Sequence, residues 1–349
     1  MTVAGNPLAH IDPAALRAAL RAHYGLQAGA ITPLAGGLDP HARVFRADAD
    51  EAAHGGPWLV RVMRAWYETG LQVPRLLQAA GVEQVVPPLS ARDGALHVPL
   101  DAAGANGLHV AVFPFITGRS GAAGGLSAAQ WRQFGATLRQ VHHAPLPDAL
   151  RRALPTWEQP GQIGRWLQRA LPVWRRQSGR TAAARELARH IDARHDELQA
   201  IVARLLHLHG RLAARIAAGE LPCTLCHADA HVHNVMVDEQ GRMWLIDWDG
   251  ASWSPIERDL VFVIGGISAD LVRPHETAWF LEGYGPEAVD WPTLATYRYA
   301  WAVTDMHAYG AEALTERDEA TAAAAAAGFR RLFAPGAIVE LARAGEVWL

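Results

Sequence analysis

The sequence predicts an α+β fold in two parts, a small β-rich amino-terminal part and a larger, mainly helical carboxyl-terminal part. Short apolar runs with strand character crowd into the first part, whereas the remainder repeats its apolar residues at helical spacing. Between them, Pro114-Phe115-Ile116-Thr117-Gly118 is punctuated by proline and glycine, as linkers are. We therefore expect domains at residues 1–117 and 118–349.

The expected amino-terminal part begins with a helix and continues as strands. Residues 8–24 place apolar side chains on one helical face, behind an Asp12-Pro13 start. A Gly36-Gly37 pair separates the first two strands, as a tight turn requires. The strand-like runs are 31–37, 42–47, 58–63, two within 84–100, and 108–113.

The expected carboxyl-terminal part is built from helices around one irregular stretch. Ser127 precedes a helix whose apolar residues recur every three to four positions. Residues 157–177 predict a further helix, and 181–219 predict one long helix or two. The apolar run 260–264 should be buried.

Composition limits the possible partners. Half of the 349 residues are hydrophobic and 19% are charged, as in ordinary globular proteins. A net charge of −3 favours neither nucleic acid nor membrane as a partner. No opening signal sequence and no long apolar run is present, so we expect a cytoplasmic protein. All 32 basic residues are arginines, and the chain contains no lysine.

The stretch from Leu225 to Asp259 concentrates histidine, asparagine and acidic residues around a predicted hairpin. Residues 236–238 and 243–246 are short strand-like runs, joined by a turn in which Gly241 is suited to positive φ. His227-x-Asp229-x-x-x-x-Asn234 precedes the hairpin, and Asp247-Trp248-Asp249 follows it. A hairpin of this kind holds carboxylate and amide groups at a fixed separation.

Phosphoryl transfer is a reaction that uses this set of groups. The transferred group is anionic, so the site supplies Mg²⁺ held by hard oxygen ligands, here Asn234 and Asp247. A second carboxylate, Asp229, orients and deprotonates the attacking hydroxyl. The donor is then a nucleoside triphosphate, either ATP or GTP.

These motifs resemble the aminoglycoside phosphotransferase and choline kinase superfamily, whose members are relatives of the protein kinases. The branch that looks most similar is the spectinomycin phosphotransferases. The resemblance runs from about Pro33 to about Leu314. It is carried by Leu225-Cys-His-Ala-Asp229, Ile246-Asp-Trp-Asp249, Glu257-Arg-Asp-Leu260, Phe280-Leu-Glu-Gly-Tyr-Gly285 and Tyr297-Arg-Tyr299.

The resemblance implies a two-lobed, protein-kinase-like fold and a nucleotide site in the amino-terminal lobe. Arg61 stands where this superfamily usually has a phosphate-binding lysine, and Glu68 is the candidate for the acid that pairs with it. The glycine turn would lie over the phosphates, and the linker would hold the base. The implied cofactor-binding residues are Arg61, Glu68, Gly36, Gly37, Phe113, Phe115 and Ile116.

The resemblance also implies an acceptor site for a small, cationic antibiotic such as an aminocyclitol. Asp305 is the first candidate for binding a substrate ammonium group, and Glu312 and Asp318 are the next candidates. Tyr299 and Trp301 are candidates for stacking on the substrate. Asp259 is expected to accept hydrogen bonds from the backbone around His227. Asp249 is either a neighbour of the metal or a strand cap, and the cap is the favoured interpretation.

Three alternatives accompany this interpretation. The acceptor is instead an amino alcohol, a sugar or another aminoglycoside of the same superfamily. The chain binds nucleotide without transferring phosphate, because Arg61 replaces the usual lysine. Cys223-x-x-Cys226-His227 matches a haem attachment pattern, or it binds zinc together with His231 and His233.

Overall fold

The computed structural model describes residues 8, 11–34, 42–50, 55–64, 66, 68–100, 107–177, 179–286 and 288–349. Gly36 and Gly37 lie outside the described residues. The chain forms two compact units, of which the first comprises Met1–Gly125, Ala144–Leu146 and His233–Ala251. The second comprises Leu126–His143, Pro147–Val232 and Ser252–Leu349. The division into domains 1–117 and 118–349 remains a prediction.

The described elements confirm the predicted mixture of a small antiparallel sheet and many helices. The strands are β1 (Ala28–Pro33), β2 (Ala42–Ala49), β3 (Trp58–Met63), β4 (Val98–Pro99), β5 (His109–Pro114), β6 (Gly118–Ser120), β7 (Thr224–Cys226), β8 (Val235–Asp238), β9 (Met243–Leu245) and β10 (Ser252–Ser254). The helices are α1 (Pro13–Ala19), α2 (Glu68–Ala79), α3 (Gly121–Gly124), α4 (Ala128–His143), α5 (Asp148–Ala153), α6 (Gln159–Trp174), α7 (Ala182–Ala193), α8 (His195–Ala217), α9 (Glu257–Leu260), α10 (Pro274–Tyr284), α11 (Trp291–Thr315), α12 (Glu319–Arg331) and α13 (Ile338–Ala344).

The first unit opens with the predicted amphipathic helix. Asp12 caps α1, because its Oδ1 accepts a hydrogen bond from Ala14 N at 2.8 Å. A single π-helical turn, Leu20–Tyr24, extends the helix to the expected end. Leu16 and Leu20 are fully buried and pack against the sheet core.

An antiparallel sheet in the order β1-β2-β3-β5-β4 gives the first unit two chemically different faces. Val60 pairs with Val112, and both belong to the apolar core beneath α1. Because side chains alternate between the faces of a strand, the intervening Arg61 lies on the other face. Arg61 pairs in register with Ala111, and Leu59 pairs with Phe113, so these residues share that second face.

The segment 84–100 forms one of the two strands that its composition predicts. Within this segment Val85 forms an isolated bridge to Leu245, and the one strand is β4. Pro87 and Pro88 explain the difference, because proline has no N–H to donate to a β-ladder. The apolar residues Val85 and Val86 are nevertheless buried. Composition therefore predicts the burial of this segment correctly, but not its secondary structure.

The predicted hairpin is confirmed within the first unit. β8 and β9 pair antiparallel with Val235 opposite Leu245, and β6 pairs with the other side of β8. Gly241 adopts φ +80° in the connecting turn. Asp238 organises that turn, because its carboxylate accepts from the backbone N–H groups of Gln240 and Arg242 at 3.0 and 2.9 Å. The hairpin therefore fixes the positions of the segment before β8 and the segment after β9.

The second unit is largely helical. Ser127 begins α4 as predicted, and the stretch predicted as one helix or two forms both α7 and α8. α4 and α10 approach so closely that a Cβ atom on Gly135 would lie 2.1 Å from the carbonyl oxygen of Phe280. The run 260–264 is buried, as expected. Within the described ranges, no helix is both long and apolar enough to cross a membrane.

Candidate active site

The loop after β7 carries Asp229 and is fixed by Asp259 of α9. The Asp259 carboxylate accepts hydrogen bonds from His227 N at 2.8 Å and Ala228 N at 2.5 Å. Ala228 has a left-handed backbone with φ +65°, which is unfavourable for a residue with a side chain. The two bonds therefore hold a strained turn immediately before Asp229. This confirms the expectation that Asp259 accepts backbone donors from this loop.

A buried chain of side chains supports Asp259, and sequence reasoning did not find it. His142 of α4 places Nε2 3.0 Å from Asp259 Oδ2, and its Nδ1 lies 2.6 Å from the Tyr284 hydroxyl. Burial opposes ionisation of Asp259, but the hydrogen bond and charge of His142 outweigh it and hold its pKa below the ordinary value. His142 lies at the end of an amphipathic helix, where nothing in its local sequence marks it as a partner of Asp259.

Asp229 and Asp305 form an acidic group within the second unit. Asp229 Oδ1 lies 3.3 Å from His231 Nε2. Burial, and then repulsion by the Asp229 charge, raise the pKa of Asp305 to about 7. Two neighbouring carboxylates in a partly buried site are suited to a cationic ligand, because the positive charge of the ligand reduces the repulsion between them.

The substrate candidates on α11 divide between two surroundings. Trp301 and Asp305 lie one helical turn apart on α11, so their side chains project from the same face of the helix. Tyr299 is buried elsewhere, and its hydroxyl donates to Glu346 Oε1 at 2.6 Å. Tyr299 thus packs α11 against the carboxyl-terminal segment, and its contact with the substrate remains a prediction. The structure adds Tyr309, whose pKa is raised by burial and by Asp305.

Asn234 and Asp247, the predicted metal ligands, lie in the first unit on either side of the hairpin. Ile246 N donates to the backbone oxygen of Asn234 at 3.0 Å, which ties the two segments together. Asn234 is buried, and Asp247 has a left-handed backbone with φ +64°. An amide oxygen and a carboxylate are hard donors that fit Mg²⁺. These two residues would hold such an ion, which supplies charge neutralisation for phosphate oxygens.

Arg61 is directed toward the segment that follows the hairpin. Its Nη1 lies 3.4 Å from Asp247 Oδ1, and its Nη2 lies 2.8 Å from Asp249 Oδ2. The guanidinium also lies over Trp66, with 5.6 Å between Cζ and the ring centroid. Asp249, interpreted as a strand cap, instead lies in a 3₁₀ turn, Trp248–Gly250, and pairs with Arg61.

The expected ion pair between Arg61 and Glu68 is not formed in the structure. Glu68 is the first residue of α2, and its Oε2 lies 3.2 Å from His97 Nε2. His97 in turn places Nδ1 3.1 Å from Nδ1 of His109. Chain order alone favours the first acidic residue on the following helix, whereas the fold brings the distant Asp247 and Asp249 to Arg61.

The linker residues predicted to hold the nucleotide base follow β5. Phe113 shares a sheet face with Arg61, as the strand register shows. Phe115 N already donates to the Pro57 oxygen at 3.1 Å, and its ring lies 5.0 Å from Arg46 Cζ. Ile116 lines a pocket of about 380 Å³ together with Trp244. The role of these linker residues at the nucleotide base remains a prediction.

The two cysteines have a structural explanation. Cys226 is fully buried and its Sγ lies 3.4 Å from the carbonyl oxygens of Ser254 and Pro255. Burial raises the pKa of both thiols, that of Cys223 to about 11, so they stay protonated. Haem attachment would require an accessible Cys226 sulfur. Among described residues, His142, Cys226 and Asp259 place metal-type donors together, but hydrogen bonds within the protein occupy all three.

The fold, the acidic residues Asp229 and Asp305 of the second unit, and the Asn234, Asp247 and Arg61 group of the first unit together define a phosphotransferase. The chain belongs to the phosphotransferase enzyme family (APH), whose model matches residues 30–297. Among solved structures, it is similar to spectinomycin phosphotransferase APH(9)-Ia in complex with ADP and spectinomycin, with a TM-score of 0.78 and 25% identity. That match covers 97% of this chain and 99% of the other.

A second solved structure extends the fold comparison. The chain resembles the amicoumacin kinase hAmiN in complex with AMP-PNP, Ca²⁺ and amicoumacin, with a TM-score of 0.60 and 17% identity. This match covers 95% of this chain and 98% of the other, and it supports the fold alone. No curated protein sequence matches the chain significantly. The kinase-like fold predicted from the sequence is therefore confirmed.

Proposed function

We propose that this phosphotransferase moves the γ-phosphoryl group of ATP or GTP to a hydroxyl of a spectinomycin-like aminocyclitol or aminoglycoside, with Mg²⁺ as cofactor. The observation that carries the acceptor class is the pair of neighbouring carboxylates, Asp229 and Asp305, in the second unit. A protonated amine on the acceptor compensates their charge, and a hydroxyl of the same molecule is thereby presented to Asp229. A resistance role follows if the acceptor is an antibiotic.

The proposed reaction assigns one task to each group of residues. Asp229 accepts the proton of the acceptor hydroxyl while the oxygen of that hydroxyl bonds to the γ-phosphorus. The bond from that phosphorus to the bridging oxygen breaks, and the nucleoside diphosphate departs. Asn234 and Asp247 bind the metal–nucleotide complex, and Arg61 contributes a permanent positive charge to the phosphates. Phe113, Phe115 and Ile116 are assigned to the base.

The likeness to the spectinomycin enzyme supports the first choice of acceptor, because it spans nearly the whole of both chains. The test is the formation of nucleoside diphosphate by purified protein with Mg²⁺ and either ATP or GTP. The acceptor panel comprises spectinomycin, several aminoglycosides, choline, ethanolamine and simple sugars. Mass spectrometry of the stimulating acceptor should show the addition of one phosphoryl group.

Each result of the panel decides between the alternatives. Stimulation by spectinomycin or an aminoglycoside supports the proposal. Stimulation by an amino alcohol or sugar alone keeps the reaction and replaces the acceptor class. Nucleotide binding without stimulation by any of these compounds contradicts the transfer reaction, and it favours a nucleotide-binding relative in which Arg61 does not support catalysis.

A further inference from the structure

Among the residues that the structure describes, Arg61 pairs with the carboxylates of Asp247 and Asp249, and the two contacts are not equivalent. The Nη2–Oδ2 distance to Asp249 is 2.8 Å, which is typical of a charge-assisted hydrogen bond. The Nη1–Oδ1 distance to Asp247 is 3.4 Å, at the limit of a hydrogen bond. The Asp249 side chain is 21% exposed, compared with 44% for Asp247. Asp249 is therefore the closer and more sheltered partner.

Asp249 is held in place by packing against α2. A Cβ atom on Gly70 would lie 3.0 Å from Asp249 Cα and 3.1 Å from its Oδ1, so this helix approaches the 3₁₀ turn with no space for a side chain. Arg61 is fixed from the other side, because it belongs to the central strand β3. The contact between Asp249 and Arg61 thus joins two elements whose backbones are well supported.

We propose that Asp249 is a positioning residue that keeps Arg61 at the nucleotide phosphates when a metal ion takes Asp247. This inference rests on the proposed function, which assigns Asp247 to the metal and Arg61 to phosphate. A cation on Asp247 competes with the guanidinium for the same carboxylate oxygens. Asp249 then retains Nη2, while Nη1 turns from Asp247 to a phosphate oxygen.

Loss of Asp249 should therefore weaken Mg²⁺ binding, because Arg61 then competes with the ion for Asp247. A guanidinium forms two parallel hydrogen bonds with a single carboxylate when the geometry allows it. Without Asp249, the fork of Arg61 is expected to turn fully onto Asp247, and Mg²⁺ must then displace it. The effect of Asp249 on the metal is indirect and depends on the presence of Arg61.

A double-mutant cycle tests this dependence. ATP binding is followed by isothermal titration calorimetry over a range of Mg²⁺ concentrations. Asp249→Asn should raise the Mg²⁺ concentration for half-maximal ATP binding about tenfold, the scale of one charge-assisted hydrogen bond. In the Arg61→Ala background, the same substitution should change it less than about twofold. Glu83→Gln removes an exposed negative charge from the same unit and serves as the control.

The cycle also contains the results that overturn the inference. An equal shift in both backgrounds means that Asp249 acts on the metal itself. A shift no larger than that of Glu83→Gln means that Asp249 does not position Arg61. Asp249→Glu keeps the carboxylate and should recover part of the affinity, and Arg61→Gln, which removes the charge but keeps a long side chain, provides a second background if Arg61→Ala unfolds. Thermal unfolding without nucleotide checks the fold of each variant.

The binding experiment uses only ATP and Mg²⁺, so its result is separable from phosphoryl transfer. If the cycle shows the expected coupling while no acceptor is phosphorylated, the role of Asp249 stands and the proposed function fails. If phosphoryl transfer occurs without the coupling, the proposed function stands and the role of Asp249 fails. Absence of ATP binding by the wild-type protein overturns both.

Discussion

At the residue scale, two side-chain-bearing residues next to proposed catalytic groups adopt left-handed backbone conformations. Ala228, with φ +65°, precedes Asp229, and Asp247, with φ +64°, is itself a proposed metal ligand. Such conformations cost about 1–2 kcal/mol each, so surrounding bonds must hold them. Asp259 provides those bonds for Ala228. At both residues the surrounding fold therefore imposes a backbone position that the local conformational preference disfavours.

Asp229→Asn is predicted to leave the fold intact and to abolish most phosphoryl transfer. The amide is nearly the same size as the carboxylate, but it is a poor acceptor for the hydroxyl proton. We expect kcat to fall about 10²–10⁴-fold, the usual contribution of a general base. Steady-state kinetics and thermal unfolding measure the two effects. Turnover near the wild-type rate would show that Asp229 is not the base.

Asp305 should make binding of a cationic acceptor depend on pH. Its pKa of about 7 means that it is protonated, and therefore neutral, at lower pH. The KM for a cationic acceptor should consequently rise as the pH falls from 8 to 6, an interval chosen to bracket that pKa. Asp305→Asn should have a high KM that is flat over this range. A wild-type KM that does not vary in this range would contradict the assignment.

At the element scale, glycine permits the close approach of α4 and α10. A Cβ atom on Gly283 would lie 1.9 Å from the carbonyl oxygen of Arg132, and Gly135 faces the same restriction from Phe280. Backbone atoms cannot move aside as a flexible side chain does. The same α4 carries His142 to Asp259, so the helix crossing also positions the support of the catalytic loop.

Gly135→Ala is predicted to destabilise the protein by at least about 1–3 kcal/mol, because the methyl group overlaps a neighbouring backbone. Gly210→Ala is the matched control, since Gly210 lies within α8 and a Cβ atom there meets nothing within 4 Å. That substitution should stabilise the protein by up to about 1 kcal/mol through helix propensity. Urea unfolding compares the two variants, and equal effects would argue against the proposed crossing restriction.

Elements with strong local signals were predictable, and contacts between distant elements were not. The hairpin, the Asp12 cap and α4 follow from turn residues and periodicity within short windows. The segment 84–100 forms one strand instead of the two predicted, because its prolines outweigh its strand-like apolar residues. Asp249, distant in the chain from Arg61, and His142, distant from Asp259, become partners through packing that no local pattern encodes.

At the scale of the whole molecule, buried carboxyl groups make folding sensitive to pH. Glu257 is 1% exposed, and burial raises its pKa to about 7, despite a hydrogen bond from Asp290 N at 2.8 Å. The folded state keeps this proton while the unfolded chain releases it near its ordinary pKa of 4.5. Stability from this group therefore falls as the pH rises toward 7.

Glu257→Gln should remove that dependence, because the amide is neutral at every pH. At pH 8 the variant is expected to gain up to about 3 kcal/mol over the wild type, and at pH 4.5 the two should be similar. Glu186→Gln, which alters an exposed pair with Arg330, is the control. Urea unfolding at both pH values measures the gain. An equal loss of stability at both pH values would show that the glutamate is charged in the folded protein.

The arginine at position 61 also determines which covalent probes can report on the nucleotide site. Reagents built on a nucleotide and designed to acylate an amine find no side chain to modify, because the chain contains no lysine. A guanidinium stays protonated and is a poor nucleophile at any pH the protein tolerates. Amine-reactive dyes or supports would therefore modify no side chain of this sequence, and the proposed phosphate-binding residue would be spared.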